Sequence, residues 1–256
     1  MTTTIAVAGK GGTGKTTLSG LLVRYLIRHK PGKKVLAIDA DPSSNLHLVL
    51  GLPLTQTIGD IREDARTAPQ PGQSRQDWLG YAVRMAVEEG DDCDLLAMGR
   101  PEGQGCYCAA NHMLRSIMDG INAGYDFVVM DNEAGMEHLS RRTTRDVDHL
   151  LLVSDASLRG MTAAESMLTL SKELEINVRN TYLVVNRVIG EMSPAIRAKA
   201  EAMGVPLLAT VPYDPLLVEF DGQGRPLVEL PDDASVSRAV AGMAEKLVGN
   251  GAGGSY

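Results

Sequence analysis

Gly9-Lys10-Gly11-Gly12-Thr13-Gly14-Lys15-Thr16 decides the reading of this chain. It fits the pattern Gly-x-x-x-x-Gly-Lys-Thr, and its surroundings give the pattern structural meaning. Before it, Ile5-Ala6-Val7-Ala8 is a short apolar run of strand length. After it, Leu18, Leu21, Leu22, Tyr25 and Leu26 recur at i, i+3, i+4, i+7 and i+8, which places one apolar stripe on a helix. Strand, glycine-rich turn and helix therefore follow one another directly. Further β-branched runs lie at Val35 to Asp39, Asp94 to Met98, Phe127 to Asp131, Leu150 to Ser154, Tyr182 to Asn186 and Leu207 to Val211. Several are apolar on both faces and separated by helical patterns, so the expected fold is α/β: a doubly wound, mostly parallel sheet with helices on both faces. Residues 1–248 read as a single domain and residues 249–256 as a glycine-rich tail that does not order by itself. Thr55 to Gln76 and Gly99 to Gly105, rich in proline and polar residues, read as loops.

Composition removes several classes of function. The 256 residues are 44% hydrophobic and carry a net charge of -7, which offers no general electrostatic grip on nucleic acid. No apolar run approaches the ~20 residues that span a bilayer, and the first residues lack a basic-then-apolar leader. A cytoplasmic chain without membrane or nucleic-acid binding is expected. With three cysteines in a reducing compartment, a close pair points to metal or redox chemistry before a disulfide.

The loop chemistry is that of phosphate binding. Glycines let the backbone curl so that successive amides converge on phosphate oxygens, and the helix start adds its partial positive charge. Lys15 is placed for the outer phosphates and Thr16 for Mg2+. Lys10 is a second lysine inside the loop, and Lys10-Gly11-Gly12-Thr13-Gly14-Lys15-Thr16-Thr17 resembles the deviant Walker A signature of the MinD, ParA, ArsA and nitrogenase iron protein group. The resemblance implies an ATPase whose active site is completed in a homodimer, with Lys10 reaching the phosphates held by the other subunit. Gly9 to Thr17 would then form the phosphate-binding part of the site.

Carboxylates stand where a parallel sheet presents ligands. Asp39 and Asp41, in Asp39-Ala40-Asp41-Pro42, end the second strand; spacing of two directs them to one side of an extended segment. By resemblance to switch I, Asp41 orients the attacking water and Asp39 serves the Mg2+ side. Phe127-Val128-Val129-Met130-Asp131-Asn132-Glu133-Ala134-Gly135 delivers another acid to the same edge and resembles switch II. That resemblance implies that Asp131 holds the water shell of Mg2+ and that Gly135 senses the γ-phosphate, with Glu133 between them. Asn186 ends a later strand in an amide that can pair with an adenine edge. The family supports this role and has the Val211-Pro212-Tyr213-Asp214 segment, with Pro212, closing over the base.

Gly105-Cys106-Tyr107-Cys108 supplies two thiolates, whereas a tetrahedral soft-metal site needs four ligands. Two subunits about a twofold axis complete it; a single-chain site of Cys106, Cys108, His112 and water is the rival, and a structural or redox pair the third possibility. Cys93 has no close partner. Taken together, Lys10 to Thr17, Asp39 to Pro42, Cys106 with Cys108, and Asp131 to Gly135 resemble the CooC family of carbon monoxide dehydrogenase maturation ATPases. The resemblance implies a dimeric metallochaperone that assists nickel insertion into that enzyme, with Ni2+ or Zn2+ at the shared Cys-x-Cys site. Two other roles stay open at this point: a MinD/ParA-type positioning ATPase, and an electron donor with a dimer-bridging iron-sulfur cluster.

Overall fold

A computed structural model describes residues 2–61, 84–99, 124–134, 146–173 and 177–249. In chain order the elements are β1 (Thr3–Gly9), α1 (Lys15–His29), β2 (Val35–Ala40), α2 (Leu46–Leu50), β3 (Val87–Glu88), β4 (Asp94–Ala97), β5 (Phe127–Ala134), β6 (Asp146–Asp155), α3 (Leu158–Glu173), β7 (Asn177–Val188), α4 (Pro194–Ala202), β8 (Leu207–Pro212), α5 (Pro215–Gly222) and α6 (Ser235–Val248). Eight strands form one sheet in the order β3-β4-β2-β5-β1-β6-β7-β8, and only the pairing of β3 with β4 is antiparallel.

Both faces of this sheet are covered, as continuous apolar strands require. Alternation along β1 sends Ile5 and Val7 into one core, which also holds Leu18, Leu22 and Leu26 of α1 and Val236, Val240 and Met243 of α6. Ala6 and Ala8 point to the opposite face and join Leu36, Ile38, Val128, Met130, Leu150 and Leu152. On β7 the same alternation sends Leu183 and Val185 against Met161 and Ala164 of α3 and Ile196 and Ala200 of α4. The expected stripe of α1 is buried in full, and burial extends to Ser19, Gly20, Val23 and Arg24 because α2 and α6 also pack on this helix. A Cβ at Gly20 would lie 2.1 Å from Cγ1 of Val49, so glycine permits the approach of α2.

Most differences from the expected fold lie at element ends. The strands extend beyond the apolar runs, as in β6 and β7, because parallel pairing recruits flanking polar residues such as Asp146 with Asn177. β3 was absent from the expected set: two residues leave no periodicity to detect. Ile58 to Ile61 form a helical turn inside the expected loop. Thr57 and Asp60 cap it reciprocally: the Asp60 carboxylate accepts the Thr57 N–H at 2.8 Å, and the Thr57 hydroxyl accepts the Asp60 N–H at 3.2 Å. Ile58 and Ile61 are fully buried in the second core, which fixes the turn. The remainder of that loop, Pro101 to Gly105 and the tail from Asn250 lie outside the described residues. No described helix is long and apolar enough to cross a membrane.

Candidate nucleotide site

β1 lies between β5 and β6, and the chain crosses to opposite sides of it to lay down the two halves of the sheet. The carboxyl ends of strands at such a switch point are where an open α/β sheet binds ligands. The glycine-rich loop leaves β1 at this point. Gly9 is held there by space: an added Cβ would lie 2.4 Å from the Val153 carbonyl oxygen. Gly12 (φ 80°) and Gly14 (φ 87°) adopt the left-handed backbone that lets the loop curl, and Gly14 is the residue from which α1 starts. The Lys10 carbonyl, at the centre of the curl, accepts the Thr13 hydroxyl at 2.8 Å, the Thr13 N–H at 3.3 Å and the Lys15 ammonium at 3.5 Å. Lys15 is buried, whereas the side chain of Lys10 is exposed beside it, as is Gly11. Thr16 and Thr17 open the helix, half-buried.

The acids converge from neighbouring strands. Asp39 on β2 and Asp131 on β5 are register partners, and both are buried. The Thr16 and Ser19 hydroxyls reach Asp131, the second at 3.3 Å. Burial lifts the Asp131 carboxyl to about 7, with Asp39 adding to the rise and the Thr16 bond and Lys15 opposing it. Burial likewise lifts Asp39 to about 6, although its carboxylate accepts the Leu46 N–H at 2.8 Å and the Asp41 N–H at 3.1 Å. Two buried acids beside a threonine hydroxyl make an all-oxygen donor set suited to a hard divalent cation, which would supply the positive charge that burial withholds. Asp39, Asp131 and Thr16 thus stand together at the carboxyl ends of β2 and β5 and the start of α1.

Asp41 departs from the expected geometry. Its alternation with Asp39 presumed extended backbone, but β2 ends at Ala40 and the chain turns. The Asp41 carboxylate therefore accepts the Ser43 N–H at 2.9 Å and the Ser43 hydroxyl at 2.5 Å, while that of Asp39 remains buried. Both acids still stand at one edge of the sheet. Asn186 lies against the loop, donating to the Thr13 carbonyl at 2.8 Å and accepting the Arg187 N–H at 2.9 Å. Pro212 ends β8 opposite Val188, and Tyr213 beyond it is 46% exposed. Asp214 turns away from this edge to cap α5 and to accept the Ser235 hydroxyl at 2.6 Å. Glu133 is half-buried at the end of β5. Gly135, Cys106, Cys108 and His112 lie outside the described residues. Cys93 is buried on the first core, and burial and the flanking acids push its thiol up to about 12. Among the described residues no group of three or more His, Cys, Asp or Glu could hold a metal ion.

Sequence reasoning passed over Ser19, Asn132 and Arg187. Asn132 is buried beside Asp131 and donates to the Val7 carbonyl at 2.9 Å, tying β5 to β1 where the loop begins. These contacts join residues far apart in the chain, so spacing along the sequence does not show them.

The two raised carboxyls fix a pH dependence. Each folded value lies above the ordinary 3.8. Their contribution to stability is thus fully present below about pH 4 and is lost as pH rises through 6 and 7. A divalent cation favours the ionised forms, so binding it below pH 7 must expel protons. Lowering the pH from 7.5 to 5.5 is expected to weaken Mg2+-dependent ATP binding at least about tenfold. Titration of a fluorescent ATP analogue with Mg2+ and with chelator checks this; equal pH profiles in the two conditions would contradict it.

Residues 4–228 match the family of the CobQ/CobB/MinD/ParA nucleotide binding domain. An uncharacterized ATP-binding protein of Methanocaldococcus jannaschii is 41% identical over 95% of this chain and 98% of its own length. The carbon monoxide dehydrogenase accessory protein CooC of Rhodospirillum rubrum is 29% identical, covering 86% of this chain and 87% of its own. Among solved structures, the MinD cell division protein of Aquifex aeolicus superposes with a TM-score of 0.72 at 25% identity, over 98% of each chain.

Proposed function

Because the chain belongs to the CobQ/CobB/MinD/ParA nucleotide-binding family and is an ATPase of it, we propose that its ATP cycle drives a homodimeric metallochaperone serving nickel insertion into carbon monoxide dehydrogenase. The observation that carries this reading is the Cys106-Tyr107-Cys108 pair in a chain whose likeness to CooC runs over most of both sequences. Two thiolates per subunit become four across a twofold axis, enough for one tetrahedral ion. ATP closes the dimer and brings the pairs together, and hydrolysis separates them so that the ion passes on. In this cycle Lys10, exposed at the rim of the loop, reaches the partner's phosphates. Lys15 and the loop amides from Gly9 to Thr17 hold the subunit's own nucleotide, with Asn186 and Pro212 at the base. Asp41 orients the attacking water once it leaves Ser43, and Asp131, Glu133 and Gly135 move as switch II.

A positioning role on membrane or DNA makes no use of the cysteine pair. In α6, Val236, Val240, Met243, Ala244 and Leu247 are buried in the first core, so this helix directs its apolar face inward. That packing leaves the buried face of α6 unavailable to a membrane surface.

Substitutions separate closure from chemistry. Asp41→Ala is expected to bind ATP yet hold the closed dimer at least about tenfold longer, since hydrolysis is the opening step. Lys10→Gln should fail to close with ATP. Light scattering of each variant with Mg2+ and ATP reads the mass directly; wild-type behaviour from both would remove the ATP-closed dimer from the account.

A further inference from the structure

Among the described residues, two other than glycine have left-handed backbone, Ser44 (φ 48°) and Arg187 (φ 57°), and both stand at the nucleotide edge. Ser44 lies in the turn after β2, its N–H donated to the Asp41 carbonyl at 3.0 Å. Arg187 sits within β7, where a left-handed residue interrupts the regular pairing with β8 between Val185 and Val188. Such backbone is unfavourable for a residue with a Cβ, and glycine would remove that cost. Strain of this kind persists where the side chain is held for a purpose.

The purpose is visible in the loop opposite. The exposed Arg187 guanidinium donates through Nη1 to the Gly12 carbonyl at 2.8 Å. Its neighbour Asn186 donates to the next carbonyl along, that of Thr13, at 2.8 Å, and the same amide accepts the Arg187 N–H. Two consecutive side chains of β7 thus hold two consecutive carbonyls of the phosphate loop. In a trans peptide the N–H points away from the C=O. Anchoring the Gly12 and Thr13 carbonyls toward β7 therefore turns the Thr13 and Gly14 N–H groups to the other side, toward the concave face of the loop, where the Thr13 N–H meets the Lys10 carbonyl at 3.3 Å. These units need an outside restraint, because Gly12 and Gly14 swing more freely than any other residue type. A guanidinium supplies it well: it stays charged and makes a charge-assisted bond to the carbonyl.

We propose that Arg187 is a positioning residue for ATP binding, which with Asn186 clamps the Gly12 and Thr13 peptides so that their amides stay turned toward the concave face of the loop, the Thr13 N–H passing from the Lys10 carbonyl to phosphate when nucleotide binds. The inference concerns the ATP step and stands apart from the metal. The left-handed backbone permits a clean test, since Arg187→Gly deletes the side chain and relieves the strain together. Arg187→Gly and Arg187→Ala are each expected to raise the Kd for Mg-ATP and the KM about tenfold, with kcat within about threefold of wild type. Arg187→Lys, which retains a charged donor, should recover affinity to within about threefold of wild type. The melting temperature of nucleotide-free Arg187→Gly should not fall. Wild-type ATP affinity in the glycine variant would overturn the proposal. So would a loss of affinity that lysine does not restore and that tracks a lowered melting temperature in every variant, which marks a structural role alone.

Discussion

Lys15→Ala is expected to lower ATP turnover at least about a hundredfold while the protein remains folded. The lysine stands in the first turn of α1 with its ammonium inside the curl of the loop, 3.5 Å from the Lys10 carbonyl. Deleting one preorganised donor aimed at developing phosphate charge typically costs ~10²–10³ in rate. The fold should tolerate the change: Lys15 belongs to neither apolar face of the sheet, and alanine is the better helix former. The variant also removes the charge that opposes the rise of the Asp131 carboxyl. Any residual Mg2+-dependent nucleotide binding should therefore fade at a higher pH than in wild type. Phosphate-release kinetics and a thermal melt check the two halves. Near-normal turnover in a folded Lys15→Ala protein would contradict the assignment of the loop.

The second large effect is expected at the cysteines. Replacing either Cys106 or Cys108 with serine would take two of four thiolates from the proposed twofold-shared site, so each variant should bind Ni2+ or Zn2+ at least about a hundredfold more weakly. ATP hydrolysis should stay within about twofold of wild type, because the loop and both acids at the strand ends are untouched. Cys93→Ala should bind metal as wild type does: that thiol is buried and its ionisation is pushed up to about 12, and a soft-metal ligand must first lose its proton. In cells that depend on a nickel carbon monoxide dehydrogenase, the Cys106 and Cys108 variants should yield nickel-poor enzyme that added nickel rescues. Calorimetric metal titration beside the ATPase assay checks the separation of the two functions.

Much of the architecture was legible because its signals are local. The phosphate loop carries its own geometry, and period-2 and period-3.6 apolar patterns mark the strands and α1. A parallel sheet covered on both faces follows from strands that have no polar face. What escaped depends on distant residues meeting. Asp39 and Asp131 were each recognised at a strand end, but their placement as buried register partners, where burial lifts both carboxyls, needs the order of β2 and β5. Arg187 carried no signal in the sequence, because its contact with the Gly12 carbonyl depends on β7 lying against the loop. The Thr57–Asp60 capping box was a sequence signal overlooked among prolines and polar residues. Asp41 shows the opposite error: the alternation rule was carried one residue past the end of its strand.

Metal stoichiometry tests the central claim most directly. Protein purified without added metal, then titrated with Ni2+ or Zn2+ during light scattering and elemental analysis, should reach one ion per two chains. The ion should hold the dimer, a chelator should release nucleotide-free monomers, and the double Cys106→Ser/Cys108→Ser variant should take up none tightly. One ion per chain with no change in mass, or tight binding retained by the double variant, would contradict the shared site and with it the metallochaperone.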